Sequence, residues 1–307
     1  MAVPARPALV AWWRNTARVG VNWVPDLTAR ILWVPDWSAR NLPDADALVA
    51  TAWQSAGPVN EASERCGAKF YLIQHYESLY HGAPEAVDHT YSYPLRKIVI
   101  STWLKEIMRD RFRSEAEVLV TPVDPALFSR VETEPDENMV RVLILHHDYA
   151  WKGVADGLEA VRRVKVRHPE LRLVGFGVKR PPARLPYDEF HENLPQSRLA
   201  WLYSRCPIYL CPSWDEGLGM PAMEAMACGA ALVTYDNGGC RDYARDGETA
   251  LVAVRRDVAE LAEKLERLVA DPALRRKIAR AGTAFIRREF DWDRAVTRME
   301  ALFEARP

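Results

Sequence analysis

Residues 207–229 predict a buried strand, a glycine-rich loop and a helix in immediate succession, and no other segment constrains the fold as strongly. The run PIYLCP at 207–212 is apolar, rich in β-branched and aromatic residues and bounded by prolines, as a buried strand is. Pro221 suits the start of a helix and Gly229 suits its end. A strand that leads directly into a helix is the repeating unit of a parallel α/β sheet.

The same alternation continues on both sides of this segment. Beyond residue 138 we predict further strands at 140–145, 171–176, 230–235 and 250–254, and helices at 153–166, 197–204 and 258–269. Earlier in the chain the pattern is weaker. It gives strands at 47–52, 70–74, 97–100 and 118–120, and helices at 59–66 and 102–112. The fold class is therefore α/β, with parallel sheets covered by helices on both faces.

The acidic stretch VETEPDEN at 131–138 is interpreted as a linker between two doubly wound, Rossmann-like domains. The predicted organisation is a first domain at 1–130, a second domain at 139–288 and a C-terminal helix at 289–307. A chain of 307 residues with 49% hydrophobic and 27% charged residues is large enough for two cores.

Charge and cysteine usage exclude several classes of protein. The formal net charge of −1 argues against nucleic acid as the main partner. The five cysteines form neither an even disulfide set nor a CxxC pattern, which favours a reducing cytoplasm. No apolar run reaches the ~18 residues of a membrane span, so we expect any membrane contact to be peripheral, at the inner face. No cluster of metal ligands is visible, and we expect neither a metal nor a cofactor.

Two carboxylates, Glu216 and Glu224, lie eight residues apart across the glycine-rich loop. The carboxyl ends of parallel strands face helix N-termini, and this is where phosphate groups bind. Carboxylates beside a phosphate need a neutral partner with paired donors, and vicinal hydroxyls of a ribose or a hexose fit that need. The pattern therefore indicates a sugar nucleotide. The alternative is that each carboxylate is solvated or interacts only with its helix dipole.

The segment DEGLGMPAMEAMACGAALV at 215–233 resembles the E-x7-E signature of retaining GT-B glycosyltransferases of family 4, whose usual form is close to EGFGLPxxEAMAxGxPVV. The resemblance implies that Glu216 contacts hydroxyls of the donor hexose and that Glu224 contacts the nucleotide ribose. It also implies that the turn at Leu218, Gly219, Met220 and Pro221 lies against the donor. The implied activity is transfer of a hexose, such as rhamnose or mannose, from a nucleotide sugar to a glycan or lipid-linked acceptor in polysaccharide or glycoconjugate synthesis. The implied fold is GT-B, with two domains facing a cleft. The resemblance makes 1–130 the acceptor-side domain and 139–288 the donor-binding domain, and it implies that the C-terminal helix packs back onto the first domain.

A second candidate site follows the strand at 140–145. The segment HHDYAWKG at 146–153 resembles the GRLxxxKG of these enzymes, so Lys152 is expected to neutralise the departing diphosphate. His147 falls near the position of the family's arginine and carries charge only when protonated. We therefore expect turnover to decline as pH rises through the pKa of His147. The alternative for Lys152 is a solvated lysine at a helix start.

Further candidates come from other predicted strand ends. Gly175 and Gly177 let the backbone approach the nucleotide base, or form a plain turn. The segment KFYLIQHYES at 69–78 is similar to a YFxQDYE-like string of bacterial polysaccharide rhamnosyltransferases, which makes His75 a candidate catalytic residue; the alternative is a structural histidine. Asp242 stands in for a family acid, or caps a helix.

The N-terminal half is shorter than the resemblance leads one to expect, because the family's first strand, glycine loop and helix are not found in it. The basic helix at 102–112, with Lys105, Arg109, Arg111 and the following Arg113, is interpreted as a contact for anionic lipid or as a solvated face. The main alternative to a transferase is a non-catalytic sugar-nucleotide-binding or partner subunit. A nucleotide-sugar epimerase and a phosphorylase are further alternatives, and the donor base, the hexose and the acceptor remain open.

Overall fold

The structure, a computed structural model, describes residues 14–15, 27–80, 82–132, 139–182 and 185–305. The described chain divides into two units. The first contains the residues up to Ile73 together with Glu77–Ile98, and the second contains Gln74–Tyr76 and the residues from Val99 onwards. Residues 133–138 of the predicted linker lie outside the described residues. The predicted domain limits, the cleft and the packing of the C-terminal helix stay predictions.

The first unit alternates strands with helices, as predicted. Its elements are β1 (Ala47–Ala50), α1 (Trp53–Glu61), β2 (Ala68–Ile73), α2 (Pro84–Tyr91) and β3 (Arg96–Val99). β1 and β2 are parallel, with Val49 opposite Phe70. The helix predicted at 59–66 is wrong in extent, because α1 begins six residues earlier and Glu64–Cys66 is a single 3₁₀ turn.

The second unit begins with α3 (Thr102–Phe112), whose N-cap Ser101 accepts the Leu104 N–H at 3.3 Å. β4 (Ala116–Val118) follows, and the smaller sheet has the order β1-β2-β3-β4. The larger sheet contains β5 (Arg141–Leu145), β6 (Arg172–Gly177), β7 (Glu189–Glu192), β8 (Ile208–Cys211), β9 (Ala231–Tyr235) and β10 (Ala250–Ala253).

The larger sheet is doubly wound. Its order is β10-β9-β8-β5-β6-β7, and all five neighbouring pairs are parallel. The chain starts in the middle at β5, moves outward through β6 and β7, and then returns to β8 and moves outward on the other side. The connections after β5 and β8 therefore leave in opposite directions, and a crevice opens at the carboxyl ends of these two strands.

Helices cover this sheet and bury its apolar side chains. They are α4 (Val154–Lys165), α5 (Gln196–Arg205), α6 (Met220–Ala227), α7 (Val258–Ala270) and α8 (Pro272–Glu289). A further helix, α9 (Trp292–Glu304), follows α8. Val142, Ile144 and Leu210 of the central strands are fully buried and pack in one cluster with Leu261 and Leu265 of α7. The α/β fold with two parallel sheets agrees with the sequence-based fold class.

Candidate functional site

Backbone and side-chain contacts fasten the loop after β5 to the loop after β8. The Trp214 N–H donates to the Trp151 carbonyl at 2.7 Å. The Trp214 indole N–H donates to Asp156 at 2.8 Å. Gly153 has a φ of +61°, and a Cβ at this position would lie 1.9 Å from the Pro212 carbonyl oxygen. Only glycine allows this approach. The two loops that flank the crevice therefore form one surface.

This junction brings Lys152 and Glu216 together. The Lys152 Nζ lies 2.7 Å from the Glu216 Oε1, and the two side chains are 20% and 11% exposed. The pair lines a small pocket with Ser213, Gly219 and Pro221. A partly desolvated ion pair is stronger than an exposed one, and the ammonium group keeps further N–H donors besides the one directed at Glu216. Lys152 and Glu216 lie in separate sequence motifs, and the sequence alone does not predict the contact between them.

The backbone of Glu216 is anchored to the strand on its far side. Its N–H donates to the Asn237 carbonyl at 2.9 Å, and Asn237 follows β9. The Asn237 side chain is buried and accepts the Cys240 N–H at 3.0 Å. Asn237 thus holds the loop that carries Glu216. The sequence signal for this anchor is the NGG string at 237–239.

Gly217 admits the segment that carries His75. A Cβ on Gly217 would lie 1.9 Å from the Gln74 carbonyl oxygen and 3.3 Å from the His75 Cα. The backbone at 74–75 therefore lies directly against the Glu216 turn. His75 is partly buried at this position. Its catalytic role stays a prediction.

α6 begins at the glycine turn. Gly219 is its N-cap with a φ of +95°, and Met220 is its first residue, so Pro221 takes the second position rather than the first. The Tyr243 hydroxyl donates to the Gly219 carbonyl at 3.4 Å, and a Cβ on Gly219 would lie 2.6 Å from that hydroxyl oxygen. The Leu218 side chain is buried, so this residue offers the site only its backbone.

Glu224 is the fifth residue of α6, just past its first turn. The Tyr203 hydroxyl donates to its Oε2 at 3.0 Å. Burial raises the pKa of Glu224 to about 6, and the Tyr203 hydrogen bond acts in the opposite direction. A buried carboxylate with one hydrogen-bond donor has unused acceptor capacity, which hydroxyl groups of a ligand can fill.

His147 lies beside the Lys152–Glu216 pair. Its Nδ1 accepts the Tyr149 N–H at 3.1 Å, so the neutral ring carries its hydrogen on Nε2. Burial lowers the pKa of His147, and the charge of Lys152 lowers it further. His147 is therefore neutral at pH 7. The decline in turnover predicted for its titration therefore shifts to lower pH.

The remaining candidates have structural contacts. A Cβ on Gly175 would lie 2.6 Å from the Tyr187 and Phe190 rings, and a Cβ on Gly177 would lie 2.6 Å from the His146 carbonyl oxygen. Both glycines lie inside β6 rather than in a turn, and their contact with a nucleotide base stays a prediction. Asp242 accepts the Thr102 N–H at 2.8 Å, at the start of α3. This contact agrees with the helix-capping alternative.

Neither a metal-ion cluster nor a membrane-spanning helix is found among the described residues. No group of three or more His, Cys, Asp and Glu side chains among them could hold a metal ion. Within that same part of the chain, no helix combines the length and the apolar character that crossing a bilayer needs. The expectation that the protein needs neither a metal nor another cofactor stays a prediction.

Comparison with known families and sequences gives consistent matches. The model of the family described as glycosyl transferases group 1 matches residues 127–285, more than half of the 307 residues. The chain is 28% identical over 202 residues to a glycogen synthase of Mycobacterium tuberculosis H37Rv, covering 62% of this chain and 49% of that protein. It is 30% identical over 268 residues to the O-antigen biosynthesis protein RfbC of Myxococcus xanthus, covering 84% of this chain and 20% of RfbC. The chain thus spans half or less of the length of these relatives.

Solved structures show the same fold. Sucrose-phosphate synthase from Thermosynechococcus elongatus superposes with a TM-score of 0.72 at 18% identity, covering 84% of this chain and 73% of that one. HepE from Anabaena, in complex with UDP-glucose, superposes with a TM-score of 0.73 at 17% identity, covering 85% and 79%. At such identities the likeness shows the fold alone. That fold is GT-B, as the sequence resemblance predicts.

Proposed function

The chain belongs to the glycosyl transferases group 1 family, and from this we propose that it transfers a hexose from a nucleotide sugar to an acceptor hydroxyl with retention of anomeric configuration. The names of its relatives support a glycosyltransferase: a glycogen synthase, an α-maltose-1-phosphate synthase and an O-antigen biosynthesis protein. A nucleotide-sugar donor is supported by the UDP-glucose complex of HepE.

The observation that carries this proposal is the Lys152–Glu216 pair at the point where the winding of the larger sheet reverses. Ligands of open α/β sheets bind at such points. The pair offers opposite charges to one ligand. A phosphate oxygen suits Lys152, and paired hydroxyls suit Glu216. A sugar diphosphate contains both groups within one short molecule.

In the proposed reaction, the bond between the anomeric carbon and the diphosphate breaks, a bond to the acceptor oxygen forms, and the proton of the acceptor hydroxyl passes to the leaving diphosphate. The leaving diphosphate gathers negative charge, which Lys152 and the N-terminus of α6 stabilise. Glu216 binds hexose hydroxyls, and Glu224 binds the ribose diol. His75 and His147 are proposed to contact the donor from the loops on either side. Because these groups are held by neighbouring strands, little reorganisation is needed during reaction.

The proposed acceptor is a glycan or a lipid-linked glycan of polysaccharide or glycoconjugate synthesis, with rhamnose or mannose as candidate hexoses. The similarity to RfbC supports this class of product. A cytoplasmic location with peripheral contact to anionic lipid belongs to the same proposal. Arg109 and Arg111 are exposed on α3, although Arg109 already pairs with Asp110 at 2.6 Å.

A non-catalytic sugar-nucleotide-binding subunit is the second candidate. The observation that favours it is His147, which is neutral at pH 7 where the family's arginine supplies a permanent charge. Binding and catalysis are separated by one measurement. Purified protein is screened calorimetrically against UDP-, GDP- and dTDP-hexoses, and the donor that binds is then incubated with candidate acceptors. Release of nucleoside diphosphate that depends on the acceptor supports a transferase, whereas donor binding without release supports the subunit.

Replacing Glu216 by Gln tests the central residue. The amide keeps the shape of the side chain but removes the negative charge that attracts Lys152. It also removes one of the two carboxylate oxygens that accept hydrogen bonds from the hydroxyls. We expect kcat to fall by at least 100-fold, about 2.7 kcal/mol of transition-state stabilisation. Glu263→Gln removes one exposed carboxylate from α7 and serves as the matched control, with an unchanged rate. Wild-type turnover in Glu216→Gln would exclude the proposed role.

A further inference from the structure

Five arginines line a groove at the opposite edge of the larger sheet from the Lys152–Glu216 pair. The groove has a volume of about 580 Å³, and its lining includes Pro207, directly before β8, and Gly229, two residues before β9. We call it the arginine groove, defined by Arg130, Arg275, Arg276, Arg280 and Arg287. Its size is that of a small-molecule site.

One face of α8 builds most of the groove. Arg276, Arg280 and Arg287 are spaced four and seven residues apart, so they share one stripe of the helix. The residues between them on this stripe are small: Ala279, Thr283 and Ala284. Small side chains between long ones leave a channel along the helix. The opposite face of α8 is buried through Ile278 and Ile286, which fixes the direction of the arginine face.

Arg130 closes the other side. Its aliphatic stem lies over Gly229, where an added Cβ would lie 3.4 Å from the Arg130 Cδ. Gly229 has a φ of +95° as the residue that ends α6, so the stop of that helix also makes room for the arginine. Guanidinium groups thus face the channel from two separate segments of the chain.

Within the described residues, no acid forms an ion pair with an arginine of the groove. In the described ranges, no carboxylate oxygen lies within 4.0 Å of a guanidinium nitrogen of these five arginines. Elsewhere on the same unit arginines do pair: Arg162 and Arg163 both contact Glu159, and Arg288 contacts Glu289. Since the whole chain has a net charge of −1, the excess of positive charge is local.

The acid at the start of α8 is already engaged. Asp271 accepts the Ala273 and Leu274 N–H groups at 2.9 Å as the N-cap. Arg275 uses its Nη1 to donate to the Leu268 carbonyl at 2.6 Å, which orients it at the end of α7. Like charges held this close repel one another, and that repulsion destabilises the fold unless an anion binds between them.

We propose that the arginine groove binds a soluble anion that carries at least two phosphoryl groups. A guanidinium group matches a phosphate with two parallel hydrogen bonds, which a lysine cannot make. Arg276 and Arg287 are separated by eleven residues, or about 16 Å along the helix, so one phosphate reaches only part of the stripe and linked phosphates reach more of it. The channel is concave, and a flat bilayer surface does not fill it.

The test is calorimetric titration of the full chain with inorganic tripolyphosphate at pH 7 and 0.15 M NaCl. We expect one site, at least tenfold weaker binding in Arg276→Gln/Arg280→Gln, and wild-type binding in Arg162→Gln/Arg163→Gln. The control removes the same charge from arginines that pair with Glu159. Circular dichroism and thermal melting of each variant show whether it is folded. The single variant Arg287→Gln is a milder change, and we expect it to weaken tripolyphosphate binding as well.

Two further arms locate the site and the source of the phosphate. Lys152→Ala is expected to keep tripolyphosphate binding, because the groove lies at the other edge of the sheet. Loss in Lys152→Ala with retention in Arg276→Gln/Arg280→Gln would place the anion at the donor site and overturn the proposal. Co-sedimentation with phosphatidylglycerol vesicles is the second arm. Vesicle binding that needs Arg276 and Arg280, with no binding of tripolyphosphate, would assign the groove to a membrane surface and overturn it as well. The proposal is independent of the transferase activity.

Discussion

Glu224 shows how burial gives one side chain a pH-dependent role. Its pKa is raised to about 6 from an ordinary value of 4.5, because burial of the carboxyl group outweighs the opposite effect of the hydrogen bond from Tyr203. The folded state therefore binds a proton more tightly than the unfolded state does. The contribution of Glu224 to stability is fully present below pH 4.5 and is lost as pH rises through 6.

Glu224→Gln removes this titration. The free energy of unfolding of the variant, minus that of the wild type, should increase by about 2 kcal/mol between pH 4 and pH 7, since one pKa unit corresponds to 1.36 kcal/mol. Urea denaturation at several pH values measures it. Glu263→Gln, at an exposed position on α7, should show no comparable trend. A pH-independent difference for Glu224→Gln would mean that the carboxyl group has an ordinary pKa.

Single residues of the site differ in how far sequence could predict them. Glu216, Glu224 and Lys152 stand in motifs whose chemistry can be deduced from residue type and spacing. The Lys152–Glu216 contact could not be predicted, because it joins loops of different strands and depends on the order of strands in the sheet. For Asn237 the NGG string marks a turn but does not say which loop the residue anchors. The neutral state of His147 depends on burial, which the sequence does not contain.

Strands of the larger sheet were predictable because each is a short apolar run between turn residues. β5, β6, β8, β9 and β10 lie within a few residues of their predicted limits. β7 (Glu189–Glu192) was missed, since its sequence EFHE is charged and its edge position requires little apolar character. α8 was missed as well, because its arginine-rich face and Gly282 obscure the apolar stripe. The start of α1 was predicted wrongly because Pro58, which disfavours a helix interior, lies inside it.

The junction between the β5 and β8 loops depends on Gly153, and a pair of substitutions measures this dependence. Gly153→Ala places a methyl group against the Pro212 carbonyl, whereas Gly247→Ala, with a φ of +74°, meets nothing within 4 Å. Both pay about 1 kcal/mol for a left-handed backbone. Only Gly153→Ala adds a collision, with an expected further cost of about 1–3 kcal/mol in urea denaturation.

Donor affinity should also differ between the two variants. Gly153→Ala moves the loop that carries Lys152, so donor binding measured by calorimetry should weaken, while Gly247→Ala should bind like the wild type. Equal stability and equal donor affinity in both variants would show that the approach of Gly153 to Pro212 does not fasten the loops.

The fold as a whole was predictable in class because alternating strands and helices repeat along the chain, and repetition averages out errors at single elements. The parallel direction of the larger sheet follows from helical connections between successive strands. Its strand order does not follow from periodicity and was not predicted. The second unit gave the clearer pattern, since it contains the long run of six strands and their helices.

Cysteines provide a probe of how the two units unfold. All five are buried and free; Cys66 lies in the first unit, and Cys206, Cys211, Cys228 and Cys240 lie in the second. Burial raises the pKa of Cys206, Cys228 and Cys240 to about 12, so their thiolate forms are rare in the native protein. A thiol reagent such as DTNB at pH 8 should therefore react slowly before unfolding and with five thiols in 6 M guanidinium chloride.

Partial denaturation should then divide these thiols. The first unit has the smaller core and buries less apolar surface, so it should unfold at a lower urea concentration. We expect one thiol to react in a first transition and four in a second, as counted by absorbance after brief exposure to the reagent. In Cys66→Ser the first step should disappear while the second is unchanged. Simultaneous reaction of all five thiols in the wild type would instead show that the two units unfold as one cooperative body.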